Sequence, residues 1–124
     1  MKRYLICTAD KLGTKRHSKD TLAAQERDIQ LFADHFLDND YKQYGEFRFE
    51  SFLSEVIENE GVRASLLDSN ATILVAYLSS IGSNVDEISS TIDMLNGDIM
   101  VAELPHATAE ELKIYAKLED SKKK

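Results

Sequence analysis

Two groups of small polar side chains stand just after apolar runs, where a fold can expose them at strand ends. Cys7, Thr8 and Asp10 close the run Tyr4-Leu5-Ile6, and Ser79, Ser80 and Ser83 follow the run Ile73 to Leu78. A hydroxyl or thiol placed there can attack a carbonyl or phosphoryl centre if a neighbouring base or cation activates it. For Cys7 the base nearest in sequence is His17, and the thiol needs such a neighbour because the thiolate is the nucleophile. A lone cysteine inside an apolar run is more economically a packing residue. The serines read equally well as loop residues and a helix cap, although with Thr8 and Asp10 they can line a small polar pocket. Gln25 reads as a structural hydrogen bond from a helix to a loop rather than a ligand contact.

Other chemistries find less support. Cys7 is the only cysteine, and His17, His35 and His106 are too scattered for a zinc site, so neither an internal disulfide nor a metal is implied. Gly13, Gly45, Gly61, Gly82 and Gly97 are isolated, so there is no dinucleotide fingerprint and no phosphate-binding loop. No cofactor is expected. A phosphoacceptor site wants acids after the first and third strands, and only Asp10 answers.

Charge bears on partners. The 124 residues carry 15 basic and 22 acidic side chains, a formal net charge of −7. Setting aside Lys122-Lys123-Lys124 leaves a body near about −10, which repels a polyphosphate, so strong direct DNA binding is not expected. Lys11, Lys15, Arg16 and Lys19 are the local exception, a solvated loop or a phosphate contact. With 43% hydrophobic and 30% charged residues, the chain falls in the globular range and outside disordered or fibrous classes. No window nears the roughly 18 apolar residues of a membrane span, and the start is too short in apolar residues for a secretory signal. A cytoplasmic protein is expected.

Positioning these residues requires an alternation of elements. Arg3 to Thr8 reads as a buried strand; Leu22, Ile29, Phe32, Ala33 and Phe36 then mark a helix over about 20–37. Asp38-Asn39-Asp40 stops it, Tyr44 to Phe49 gives a second strand, and Leu53, Val56, Ile57, Ala64 and Leu67 predict one helix weakened by Gly61. Thr72 to Leu78 is a continuous apolar run, the pattern of a central strand covered on both faces. Asn84-Val85-Asp86-Glu87 has capping-box spacing ahead of Ile88, Ile92 and Leu95, and Asn96-Gly97 ends that helix. Asp98 to Glu103 supplies a fourth strand, and after Pro105 a last helix is expected over about Thr108 to Leu118, with a tail over about 119–124. The order predicts one α/β domain over 1–124: three layers, with a mostly parallel four-stranded sheet flanked by helices. Any cleft then lies at the carboxyl ends of the strands.

In the last helix Leu112, Tyr115 and Ala116 form one apolar stripe, while Ile114 and Leu118 form another. A single sheet face does not bury both, so the helix is expected to contact a protein partner or a second copy. The alternative is a frayed helix that leaves Ile114 and Leu118 partly exposed.

Four stretches carry a family resemblance over about residues 3–103. Tyr4-Leu5-Ile6-Cys7-Thr8 stands where serine recombinases, the resolvase and invertase family, have Tyr-x-Arg-Val-Ser. Thr21-Leu22-Ala23-Ala24-Gln25 is similar to their Ser-Leu-x-x-Gln. Ile73 to Ser83 resembles their apolar strand followed by Leu-Asp-Arg-Leu-Gly-Arg, and Asp86 to Asp98 their next helix and turn. The resemblance implies the catalytic-domain fold of that family, in which a strand-end serine attacks DNA phosphate and arginines stabilise the transferring phosphoryl group. It also implies that the chemistry is gone. The nucleophile position holds Thr8, the strand arginine is replaced by Ile6, and the Asp-Arg-x-x-Arg set reads Ser79, Ser80 and Ser83. Losing one donor to a developing oxyanion commonly costs about 3–4 kcal/mol. Arg63-Ala64-Ser65-Leu66 is similar to a further Arg-x-x-Leu of the family, while ungapped counting back from Ile73 places that arginine near Ile57, so Arg63 stays unassigned. Against the resemblance, the family's long dimer-forming helix is expected to shrink here to about Thr108 to Leu118, and no DNA-binding domain is expected.

The expectation is therefore a catalytically inactive, recombinase-like domain that binds protein, a regulator or inhibitor from a phage or other mobile element. Two alternatives are a truncated recombinase fragment that modulates an active relative, and a residual phosphoryl-transfer enzyme using Thr8 or Cys7.

Overall fold

The computed structural model describes residues 2–9, 22–37, 39–49 and 52–122, leaving Asp10, Lys11, Lys15, Arg16, His17 and Lys19 outside the described residues. β1 (Lys2–Ala9) is buried continuously from Tyr4 to Ala9. Strand side chains alternate between faces, so Tyr4 and Ile6 enter one apolar cluster and Leu5, Cys7 and Ala9 the other. β1 is thus the centre of a three-layer domain. Around it run β2 (Tyr41–Phe49), β3 (Thr72–Val75) and β4 (Ile99–Val101), in the order β2-β1-β3-β4 with every pairing parallel.

The helices divide unequally between the faces. α1 (Leu22–Phe36) turns Ile29, Phe32 and Ala33 onto Tyr4, Ile6, Leu74 and Ala76. The opposite face takes α2 (Leu53–Val56), α3 (Glu60–Asp68), α4 (Val85–Met94) and α5 (Ala109–Lys122), whose core members include Leu53, Leu66, Ile88, Ile92 and Leu112. Among the described residues no helix is long and apolar enough to cross a membrane.

Several boundaries depart from the sequence expectation, each for a local reason. The single helix over residues 53–67 is two helices, because Asn59 leaves the helical path and its side chain accepts the Val62 N–H at 3.0 Å to cap α3. Gly61 falls in the first turn of α3, where it weakens little. β3 ends at Val75, and the run to Leu78 enters a 3-10 turn, Leu78–Ser80. The Leu78 N–H leaves the ladder for the Glu103 carboxylate at 2.9 Å. β2 begins at Tyr41, ahead of the expected Tyr44, and a register shift opposite Tyr4 and Leu5 makes Tyr44 the unpaired residue of a bulge.

α5 is longer than expected, reaching Lys122 and taking up most of the anticipated tail. Its direction also follows from its contacts: Lys113 near its start meets Asp93 near the end of α4, and Asp120 near its end meets Val85 at the start of α4. The two helices are antiparallel. Leu112 and Ala116 are buried, but Tyr115, which the sequence pattern grouped with them, is exposed alongside Ile114 and Leu118. One i, i+4 pair fills the narrow seam against α4, and Tyr115 lies a quarter-turn off that line.

Candidate functional site

The strand order reverses between β1 and β3: the chain leaves β1 for one side and returns on the other. At such a point the carboxyl ends of the two strands open a crevice. β3 pairs with β1 only along Tyr4 to Ile6, so Cys7, Thr8 and Ala9 extend past the last rung. Gln25 occupies this gap in pairing. Its Oε1 accepts the Ala9 N–H at 2.9 Å and its Nε2 donates to the Ala9 carbonyl at 2.8 Å. One buried amide thereby satisfies both main-chain groups of a strand end, as a neighbouring strand would.

Thr8 lies at this edge, and its Cα partner across the sheet is Arg48. That guanidinium is exposed and 4.0 Å from Glu26 on α1. Ile6, which the resemblance set against a family arginine, is a core residue against α1. Cys7 points to the other face, fully buried among aliphatic side chains, and burial pushes its thiol far above the ordinary range. A thiol so placed is protonated and out of reach of a substrate at the strand ends. The structure thus separates Cys7 and Thr8 onto opposite sides of the sheet.

The three serines differ in their surroundings. The hydroxyls of Ser79 and Ser80 are buried without a hydrogen-bond partner among the described residues. Ser83 is turned away, its Oγ donating to Glu87 Oε2 at 2.9 Å and its N–H to Glu87 Oε1 at 3.2 Å. Glu87 also accepts from Ser54 Oγ and Asn84 Nδ2, while its own N–H donates to Asn84 Oδ1. The N-cap half of the expected capping box is therefore present, while the Glu87 carboxylate reaches back to the Ser83 N–H, one residue ahead of the cap. The Ser83 N–H is the leading influence holding the Glu87 carboxyl below its usual value, joined by the Ser83, Ser54 and Asn84 side chains. Gly82 allows the close turn: a Cβ there would lie 2.8 Å from the Glu87 Cβ and 3.2 Å from the Ile88 nitrogen.

Arg63 donates from Nη1 to the Ile57 carbonyl at 3.0 Å, so it closes the end of α2. The two positions between which the sequence left the family arginine unassigned are thus bonded to each other. Among the described residues no group of histidine, cysteine and carboxylate side chains has the arrangement to hold a metal ion.

Sequence reasoning passed over one surface. Leu31 and Phe36 on α1 are 49% and 46% exposed beside a groove of about 330 Å³ that runs between α1 and the ends of β3 and β4. Phe36 stacks on Phe32 at 5.5 Å and meets the His106 ring edge-on at 5.0 Å. The periodicity placed Phe36 on the buried stripe of α1; the signal available was its position at the end of that stripe. Compared with family models, with curated proteins and with solved structures, the chain finds no match.

Proposed function

We propose that the chain is a cytoplasmic, non-catalytic binding domain of recombinase-like architecture, which acts on a protein partner or pairs with a second copy through α5. One observation carries the reading: three of the positions that the resemblance sets against charged catalytic groups have been absorbed into structure. Ile6 packs under α1, Ser80 is buried, and Ser83 belongs to the cap of α4. Neutral side chains there supply no charge to a transferring phosphoryl group. Thr8, which the resemblance sets at the nucleophile position, therefore does without the arginines of that set, and the acidic body disfavours a polyphosphate substrate. The mobile-element origin and the role as regulator or inhibitor rest on the family resemblance.

The contact surface is α5, which is anchored by Leu112 and Ala116 and presents Ile114 and Leu118, 56% and 51% exposed, with Tyr115 beside them. Burying one such aliphatic side chain contributes about 1.5–3 kcal/mol, so two or three residues suffice for a modest interface. Sedimentation and host pull-downs of the wild type beside the double variant Ile114→Glu/Leu118→Glu test this. The expected result is that the variant loses self-association or a retained protein. A wild type that stays monomeric, with the variant keeping every partner, refutes the assignment to α5. A covalent adduct with duplex DNA that disappears in Thr8→Ala refutes the non-catalytic reading.

A further inference from the structure

Asn96-Gly97 is the one Asn-Gly pair in the chain. Such a pair carries its own reaction, because the main-chain nitrogen after an asparagine can attack the side-chain amide, and glycine adds no side chain to obstruct it. The N–Cγ bond forms, the bond from Cγ to the amide nitrogen breaks, and the proton of the attacking nitrogen leaves with that amide as ammonia. Water then opens the cyclic imide at either carbonyl, giving aspartate or isoaspartate. No co-reactant beyond water is needed.

The fold holds this pair in a form that resists the reaction. Asn96 and Gly97 follow α4 with φ of 57° and 72°, in the left-handed region. The Gly97 N–H donates to the Ile92 carbonyl at 2.9 Å and the Asn96 N–H to the Asp93 carbonyl at 3.0 Å, the paired bonds that close a helix C-terminus. The attacking nitrogen is therefore spent on the end of α4. Asp98, the next residue, is fixed from the sheet side: its carbonyl accepts the Ile73 N–H at 2.9 Å and its Oδ1 the Thr72 hydroxyl at 2.7 Å. Asn96 itself is exposed, so the backbone lock, not burial, withholds the reaction.

We propose that Asn96 is a self-modification site gated by the C-terminal end of α4. Opening of that end frees the Gly97 nitrogen, and the change that follows does not reverse. Either product sets a new carboxylate in the segment between Asp93 and Asp98, at the helix pole that favours cations. Isoaspartate also adds a main-chain carbon between α4 and β4, so the Gly97 N–H and the Asp98 carbonyl no longer meet Ile92 and Ile73 together. β4 begins directly after, at Ile99, and has only three residues, so a loosened approach reaches the sheet. The site stands at the amino ends of β3 and β4, away from the strand-end crevice, and does not depend on what α5 binds.

The full chain would be incubated at about pH 8 and 37 °C, folded and in guanidinium chloride, and its peptides mapped by mass spectrometry for isoaspartate and for a gain of about 1 Da at Asn96. In the unfolded chain Asn96 is expected to convert ahead of every other asparagine, and in the folded chain about tenfold or more slowly. Lys113→Ala removes the ammonium 2.6 Å from Asp93, and Thr72→Val removes the hydroxyl that Asp98 accepts. Each should speed conversion of the folded protein by about threefold or more. Hydrogen exchange at Gly97 should rise with that rate while the amides of β1 hold theirs. Asn96→Asp, which makes one product outright, should also raise exchange at Gly97 by about threefold or more. Equal rates in the folded and unfolded chains, another asparagine converting first in the unfolded chain, or a folded rate indifferent to either variant would each overturn the proposal. Acceleration accompanied by uniform exchange across the domain would assign the gate to global unfolding, and so would overturn it as well.

Discussion

Replacing Gln25 tests how the strand end at the crevice is held. Its amide makes both hydrogen bonds of Ala9 in a buried setting, so Gln25→Leu keeps roughly the same bulk while leaving a donor and an acceptor unpaired. Each such group costs about 1–3 kcal/mol, giving a loss of about 2–6 kcal/mol. That is a large share of the roughly 5–15 kcal/mol that stabilises an ordinary domain. With a urea dependence of about 2 kcal/mol per molar, a loss of 3 kcal/mol lowers the unfolding midpoint by about 1.5 M.

Gln25→Glu separates the two bonds. The carboxylate still accepts the Ala9 N–H, but it sets a buried negative charge against the Ala9 carbonyl oxygen. Protonation restores a donor. The carboxyl pKa in the folded state must therefore lie above the roughly 4.3 of an unfolded glutamate. Stability from the protonated form is fully present below about 4.3 and is lost as pH rises through the folded value. Urea midpoints followed by circular dichroism from pH 4 to 8 should show the glutamate variant close to wild type at the acid end and well below it at neutrality. A leucine variant with the wild-type midpoint, or a glutamate variant whose deficit does not change with pH, refutes this account of Gln25.

Gly82→Ala should destabilise by about 1–3 kcal/mol, since its methyl group meets the Glu87 Cβ at 2.8 Å with backbone just behind it; a thermal midpoint equal to wild type contradicts that. Glu87→Gln should cost about 0.5–2 kcal/mol at pH 7, as loss of a helix cap does. Because the folded carboxyl is held low, its contribution is present above about pH 4.3 and lost as pH falls through the folded value, so the two proteins should converge in acid. Cys7 should resist a thiol reagent in the native protein and react at once in denaturant, because it is fully buried and its thiol is pushed up; rapid native labelling shows an accessible path that the fold does not contain.

The elements that could be read from the sequence are those whose signal is local. β1 and β3 showed themselves as continuous apolar runs because both of their faces are buried. α4 was marked by Asn84 and Glu87, which make the cap their spacing predicts. The break between α2 and α3 was hidden, since Leu53, Val56, Ile57, Ala64 and Leu67 keep a helix-like spacing through a turn that Asn59 and Arg63 close by side-chain bonds, and that turn leaves Leu67 exposed. At the crevice, Gln25 stood in a recognisable motif, but its two bonds to Ala9 depend on β1 outrunning β3, a matter of register between distant segments. Nothing along the chain tells that Ser80 is buried or that Leu31 is exposed; both depend on how distant elements divide between the two faces of the sheet.

That choice of face is written in charge as well as in apolar area. A helix accepts anions at its N-terminus and cations at its C-terminus. α5 offers α4 both in the antiparallel sense: the Asp120 carboxylate takes the Val85 N–H at 3.0 Å, and the Lys113 ammonium lies 2.6 Å from Asp93 in the last turn. Asp93 and Glu110 both favour the charged form of Lys113. Reversing α5 would set each charge against the unfavourable pole. Leu112 and Ala116 would serve either direction, so the polar ends decide it. Asp120→Lys should therefore lose a helix-terminal acceptor and place a cation at the N-terminus of α4, a cost of about 1–2 kcal/mol. Hydrogen exchange localises the effect: amides in the last two turns of α5 and the first turn of α4 should exchange about fivefold or more faster, with those of β1 and α1 little changed. Uniform acceleration across the domain would mean that α5 is coupled to global unfolding, and no change at all would mean that the Asp120 contact does not hold the helix.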